Sequence, residues 1–182
     1  MAGRIGRVAA LAAGIVMLAG AARAQDLNAA LQTDATSMDP HVAPTFTSSA
    51  LHQHIFDTLV AVDAKLAIQP DLAVSWRAVS ETAWEFELRQ GVTFSDGTPF
   101  TADDVAFSLA RVQSVRHGAG TYAPYARPIS AVTVLGPHRV RLTTSTPYPQ
   151  LLLDVSRLRM VSASAARDAA TADFNQGRAA IG

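Results

Sequence analysis

The clearest alternation of apolar and polar positions lies mid-chain, where Trp84, Phe86 and Leu88 interleave with Glu85, Glu87 and Arg89. A period of two predicts a strand with one buried and one wetted face. Burying each of those three apolar side chains is worth roughly 1.5–3 kcal/mol. Past Gly91 the alternation resumes at Val92 and Phe94, and Asp96-Gly97 with Pro99 close behind supplies a turn. Helical periodicity takes over at Thr101. Ala102, Val105, Ala106, Leu109 and Val112 fall on one helical face, Asp104 stands where a capping box wants its acid, and Asp103 adds negative charge near the positive end of the helix dipole. Phe107 lies roughly 200° around from Val105, which predicts apolar contacts on a second side. Ile129 to Leu135 and Arg139 to Thr144 alternate on either side of Gly136-Pro137 and predict a β-hairpin. Gln150 to Val155 and Ala163 to Ala172 predict short helices.

Nearer the amino terminus, Leu27 to Thr33 suits a first strand, and Asp34 to Pro44 is rich in turn formers, including Asp39-Pro40, so it predicts a loop. Ser48 to Phe56 predicts a short helix with Leu51 and Ile55 four apart, leading into a strand at Leu59 to Val62. His52 and His54, two apart on that helix, fall on different faces and lack the i, i+4 spacing of a shared metal site. They are expected to be surface or partly buried residues. Hairpins mixed with short helices, without repeats or low-complexity tracts, indicate a mixed α/β or α+β fold.

Residues 1–24 follow a different rule. Arg4 and Arg7 precede a fifteen-residue apolar stretch from Val8 to Ala22, and Ala22-Arg23-Ala24 closes it. This is the pattern of a cleaved secretory signal peptide, shorter than the ~18–20 apolar residues of a permanent span. Cleavage is expected after Ala24, leaving a secreted chain that does not span the membrane. Losing Arg4, Arg7 and Arg23 takes 15 basic and 15 acidic side chains to 12 and 15. The mildly acidic remainder offers no basic patch for nucleic acid. The absence of cysteine excludes disulfides, thiolate metal sites, cysteine nucleophiles and a lipid-bearing cysteine.

Asp39-Pro40, Phe56-Asp57-Thr58-Leu59, Pro70-Asp71-Leu72-Ala73-Val74-Ser75-Trp76 and the spaced run from Trp84 through Phe94, Asp96-Gly97, Pro99-Phe100, Ala102 and Asp104-Val105 together resemble the amino-terminal lobe of family 5 solute-binding proteins of ABC importers. The resemblance runs over residues 27–182. It implies a mixed α/β chain forming the first lobe of a two-lobed, class II type periplasmic-binding-protein fold, truncated before the second lobe. On that pattern residues 25–59 begin lobe I, 60–169 form an inserted α+β subdomain, and 170–182 return toward lobe I. It further implies binding of a peptide or other small solute, delivery to ABC permease subunits, a monomeric state and no cofactor. The loop Thr45-Phe46-Thr47 is the expected ligand-binding wall, its hydroxyls and amides suited to a peptide backbone and Phe46 to apolar surface. A docking or chaperone-like module, or a non-functional truncated fragment, that traps no solute is the alternative.

Other candidate chemistry is weak. Asp96 reads as a turn residue, and Asp103 and Asp104 point apart from a helix start, so neither suits acid/base work. His41 could approach the cleft from its loop, which leaves a metal-related role open. Nucleophile elbows, phosphate-cradling glycine loops and dinucleotide fingerprints are absent, so no catalytic residue is expected.

Overall fold

A computed structural model of the chain describes residues 33–116 and 120–182. The signal segment and all but Thr33 of the expected first strand lie outside the described residues. Helix α1 (Phe46–His52) starts earlier than its periodicity suggests, because Thr45 caps it, its hydroxyl accepting the Ser48 N–H at 3.2 Å. After His52 the chain tightens through bonds from His54 N–H to Leu51 and Ile55 N–H to His52, so the expected helix to Phe56 stops short. Strands β1 (Val60–Val62) and β2 (Ile68–Pro70) form an antiparallel hairpin. Its loop is built on Asp63, whose carboxylate accepts the N–H groups of Lys65 and Ala67.

The main sheet has four antiparallel strands in the order β3 (Ala73–Ser80), β4 (Ala83–Leu88), β6 (Arg139–Thr144), β5 (Ile129–Gly136). Register aligns Trp76, Phe86, Val140 and Val134 across one row of the inner face, and Ala78, Trp84, Leu142 and Val132 across the next. Phe86, Val140 and Leu142 are fully buried. Helix α2 (Ala102–Ser114) lies against β5 and β6 and adds Val105, Leu109 and Val112 to this core. Thr101 N–H donates to the Asp104 carboxylate at 2.9 Å, one arm of the expected capping box, and the other carboxylate oxygen accepts Ala163 N–H at 2.9 Å. Asp104 is therefore a buried tie between two segments, while Asp103 faces water.

Helices α3 (Ala123–Ala126), α4 (Leu151–Val155), α5 (Ala163–Ala166) and α6 (Thr171–Asn175) are each about one turn. The single helix expected over 163–172 is two. Ser162 caps α5 and Ala170 is extended at the start of α6, where its N–H bonds the Asp173 carboxylate at 2.9 Å. Behind them Phe56, Val161, Ala166, Phe174 and Ala179 make a second apolar cluster, and Phe107 packs against it from the far side of α2 as its position on the helix requires.

The outer face of the sheet corrects one expectation. Glu85, placed on the wetted side by alternation, keeps only 4% of its surface exposed. Its carboxylate takes Arg77 at 2.8 Å and Arg139 at 2.5 Å on one oxygen, and Arg141 at 2.5 Å on the other. The period places Glu85 correctly on the outer face, but guanidinium groups from neighbouring strands cover it there. Hydrogen bonds from Arg139, then Arg141 and Arg77, hold its pKa to about 2. A carboxylate with a depressed folded pKa contributes stability above its unfolded value, and that contribution is lost only as pH falls toward 2. Glu85→Gln is expected to lower the urea midpoint at neutral pH, whereas Glu87→Gln, half-exposed and paired only with Arg139, should leave it nearly unchanged. Equal midpoints would show that the cluster does not stabilise the sheet.

Candidate functional site

The loop expected to line a ligand site divides by exposure. Thr45 is exposed at the cap, and Phe46 projects with 85% of its surface bare, the largest exposure of any bulky apolar residue described. Thr47 is buried, and its hydroxyl meets that of Thr33 at 2.9 Å. The structure thus leaves Thr45 and Phe46 open to solvent and packs the Thr47 side chain inward.

What holds this loop is a buried polar network that the sequence did not announce. Asp39, with no exposed surface, receives both Nη groups of Arg111 at 2.8 and 2.7 Å. It also accepts the Thr171 hydroxyl at 2.8 Å and the His41 N–H at 3.1 Å. Arg111 Nη1 lies 2.9 Å from His41 Nδ1, and His41 Nε2 lies 2.9 Å from the Arg159 carbonyl. A carbonyl can only accept, so Nε2 carries the proton and Nδ1 faces the guanidinium. Arg111 also sits 4.4 Å over the Phe174 ring. One arginine of α2 thereby joins the 37–43 loop to α6. The Arg111 bonds lower the Asp39 pKa against the upward push of burial. Burial first, and the Arg111 charge second, push His41 down to about 4.

His41 is fully buried with both ring nitrogens engaged, so it does not present itself to a cleft or a metal. His52, expected at or near the surface, is fully buried, donating through Nε2 to the Ser37 carbonyl at 3.0 Å, while His54 is exposed on the other side of the chain. The correction has a plain cause: the loop of residues 34–44 folds over α1, and the polar side chains Ser48 and His52, not Leu51, meet it. Among the described residues no group of three or more His, Asp or Glu stands close enough to hold a metal ion. The Phe56-Asp57-Thr58 and Pro70-Asp71 motifs are structural, since Asp71 accepts both the N–H and the hydroxyl of Thr58, at 3.1 and 3.0 Å. Asp96 likewise closes its turn by accepting the Thr98 N–H and hydroxyl.

Beside the loop opens a pocket of about 180 Å³ lined by Pro44, Ser49, Gln53, Tyr122, Tyr125, Ser156, Arg157 and Arg159. Phe46 precedes the pocket-lining Ser49 by three positions on α1, which puts the two on the same side of the helix. Ser49 Oγ and Tyr122 OH share a hydrogen bond of 2.6 Å, and the Arg157 guanidinium stacks 5.3 Å from the Tyr125 ring centre. Sequence reasoning missed the two arginines. The available signal was the segment Arg157-Leu158-Arg159-Met160, where polar and apolar residues alternate without a strand on either side.

The fold is shared with solved binding proteins. It aligns with NikA from Brucella suis, crystallised with Fe(III)-EDTA, at a TM-score of 0.73 and 27% identity over 87% of this chain and 32% of that one. It also aligns with the murein tripeptide-binding protein MppA in its unliganded open form, at 0.73 and 21%, over 84% and 33%. The chain belongs to the bacterial extracellular solute-binding proteins, family 5, whose model matches residues 67–182. It is 28% identical to the periplasmic oligopeptide-binding protein OppA of Escherichia coli K12 over 82% of this chain. It is 27% identical to the glutathione-binding protein GsiB of the same strain over 80%. The chain spans about 30% of the length of these relatives. Among the described residues no helix is long and apolar enough to cross a membrane.

Proposed function

We propose that the chain contributes one wall of the solute site in a periplasmic receptor of an ABC importer, taking peptides or peptide-like solutes and passing them to the permease. The observation that carries this reading is the bare Phe46, one helical turn before Ser49 of a polar, arginine-bearing pocket. An aromatic left open to water beside convergent hydroxyl and guanidinium groups is what a cleft surface needs to cover a ligand and orient it. Family membership supports it, as do relatives named for oligopeptides, murein peptides and glutathione. On this reading residues 25–59 and 170–182 belong to lobe I, 60–169 form its inserted subdomain, the secreted chain acts as a monomer, and no catalysis is involved. Thr45 offers its hydroxyl and Phe46 its ring, while Thr47 acts through its backbone.

Thermal unfolding in the presence of short peptides, glutathione, free amino acids and sugars tests the proposal. Peptides or glutathione should raise Tm in a saturable way and the others should not; no shift by any of them would favour the docking-module alternative. Phe46→Ser should leave Tm within about 1 °C, because so exposed a side chain packs on little. The same variant should weaken peptide binding severalfold, read by calorimetry. An unchanged affinity would remove Phe46 from the site.

A further inference from the structure

We propose that the pocket between α1, α3 and the segment following α4 is a subsite for a carboxylate group of the solute, gripped by the Arg159 guanidinium. The proposal deepens the solute-binding reading above and rests on it for the identity of the solute, but its geometry stands apart from Phe46.

The backbone at Arg159 is fixed from both sides. Its carbonyl accepts the buried His41 ring N–H, residue 159 bridges to Thr58, and the Met160 N–H donates to the Asp57 carbonyl at 2.9 Å. Leu158 and Met160 are buried, so alternation turns the Arg159 side chain the opposite way, into the pocket. Its place there is set by the fold before any ligand arrives, which removes much of the ordering cost of binding.

The guanidinium itself is left over. Arg77, Arg139 and Arg141 share Glu85, Arg111 takes Asp39, and Arg178 takes Asp173. Arg159 is partly buried, yet none of its side-chain nitrogens donates a hydrogen bond to a described residue. Burial lowers its pKa from the ordinary guanidinium value, while Tyr122, Asp71 and Asp57 act on it only through their charge. Asp71 gives one oxygen, Oδ2, to both Thr58 donors and makes no ion pair with Arg159. A guanidinium fork matches a carboxylate with two parallel N–H donors, and in a partly dehydrated pocket that pairing is strong. Arg157 adds a second positive charge, held in place against Tyr125. The linked hydroxyls of Ser49 and Tyr122 supply a further donor. About 180 Å³ admits a carboxylate and the atoms next to it, and is too small for a whole peptide.

Side-chain NMR of arginine in the full chain, titrated with acetate, tri-alanine and tri-alanine amide, tests the assignment, since such spectra report weak as well as tight binding. Tri-alanine should shift the Arg159 resonance and bind roughly 10–100-fold more tightly than its amide. That preference should vanish in Arg159→Gln and be partly kept in Arg159→Lys, with Tm of each variant confirming a folded chain. Equal binding of acid and amide, or a preference that survives Arg159→Gln, overturns the subsite while leaving peptide binding intact. Saturable acetate binding that shifts Arg159 without any peptide binding upholds the carboxylate subsite and sinks the peptide reading. If neither acetate nor tri-alanine moves the Arg159 resonance, the subsite is wrong.

Discussion

Arg111→Met is expected to lower the unfolding free energy by roughly 3–5 kcal/mol, the cost of leaving a buried charge without its partner. Asp39 has no exposed surface, and both of its oxygens receive Arg111. Without the guanidinium, only the Thr171 hydroxyl and the His41 N–H would remain to stabilise the carboxylate. Methionine fills the space of the aliphatic stem only, so the loss combines the missing charge with the guanidinium's contact on the Phe174 ring. The double replacement Asp39→Asn with Arg111→Met should recover a good part of it, because the orphaned charge goes too. Acid should also narrow the gap between the single variant and the wild type. Burial without Arg111 raises the Asp39 pKa, and a raised carboxyl pKa penalises the fold at high pH and not at low pH. A loss below about 1 kcal/mol in urea titrations would mean that water reaches Asp39.

The second large effect is an acid slope set by His41. Its folded pKa is pushed down to about 4, below the ordinary value of 6.5. Between those values the unfolded chain binds a proton that the folded chain refuses, so stability falls as pH drops from about 6.5 to about 4 and then levels off. The total is about 3 kcal/mol. His52, also lowered, chiefly by burial, acts in the same direction. Asp39 does not blur the window, because its folded pKa lies below 3.8 and its contribution disappears only in stronger acid. The charged and titratable groups facing His41 are Arg111, Asp39 and His52, and its Nε2–H is held by the Arg159 carbonyl. In His41→Gln the slope should flatten to the remainder that His52 leaves. Urea midpoints measured from pH 7 to pH 4 decide the matter. A flat wild-type profile would place His41 in contact with solvent.

The sequence disclosed those elements whose apolar residues repeat against a single buried surface. The strand at Trp84 to Leu88, the helix from Ala102 and the hairpin at 129–144 all have such a surface, and their register follows from it. Strand β3 was not anticipated as a strand, because its residues are nearly all exposed and carry little alternation. Strand β2 is three residues long and mostly exposed, with the same result. Glu85, Asp39 and His41 expose a different limit. Periodicity assigns a polar residue to a face, but whether that face is covered depends on residues distant in sequence. Arg139 and Arg141 lie more than fifty positions beyond Glu85, and Arg111 lies seventy-two beyond Asp39. Phe46 and Thr45 came from family resemblance. Arg159 became visible only when the fold set its side chain in a pocket beside the linked hydroxyls of Ser49 and Tyr122.

The edge strands of the main sheet carry a further consequence. In β3 the register shifts between Ala73 and Ser75 and again between Ala78 and Ser80; in β5 it shifts between Ile129 and Ala131 and between Val134 and Gly136. Each edge therefore keeps only a four-residue run of regular pairing before the strand twists out of line. Val74, Val79, Val134 and Leu135 stand exposed at or just beyond the ends of those runs, where a flat edge would let another chain add on and bury them. A growing stack of identical chains needs six or seven residues of continuous backbone in register. The irregularities at both borders of the sheet keep it below that length, so the chain can leave apolar side chains bare at its edges without offering a template for fibril growth.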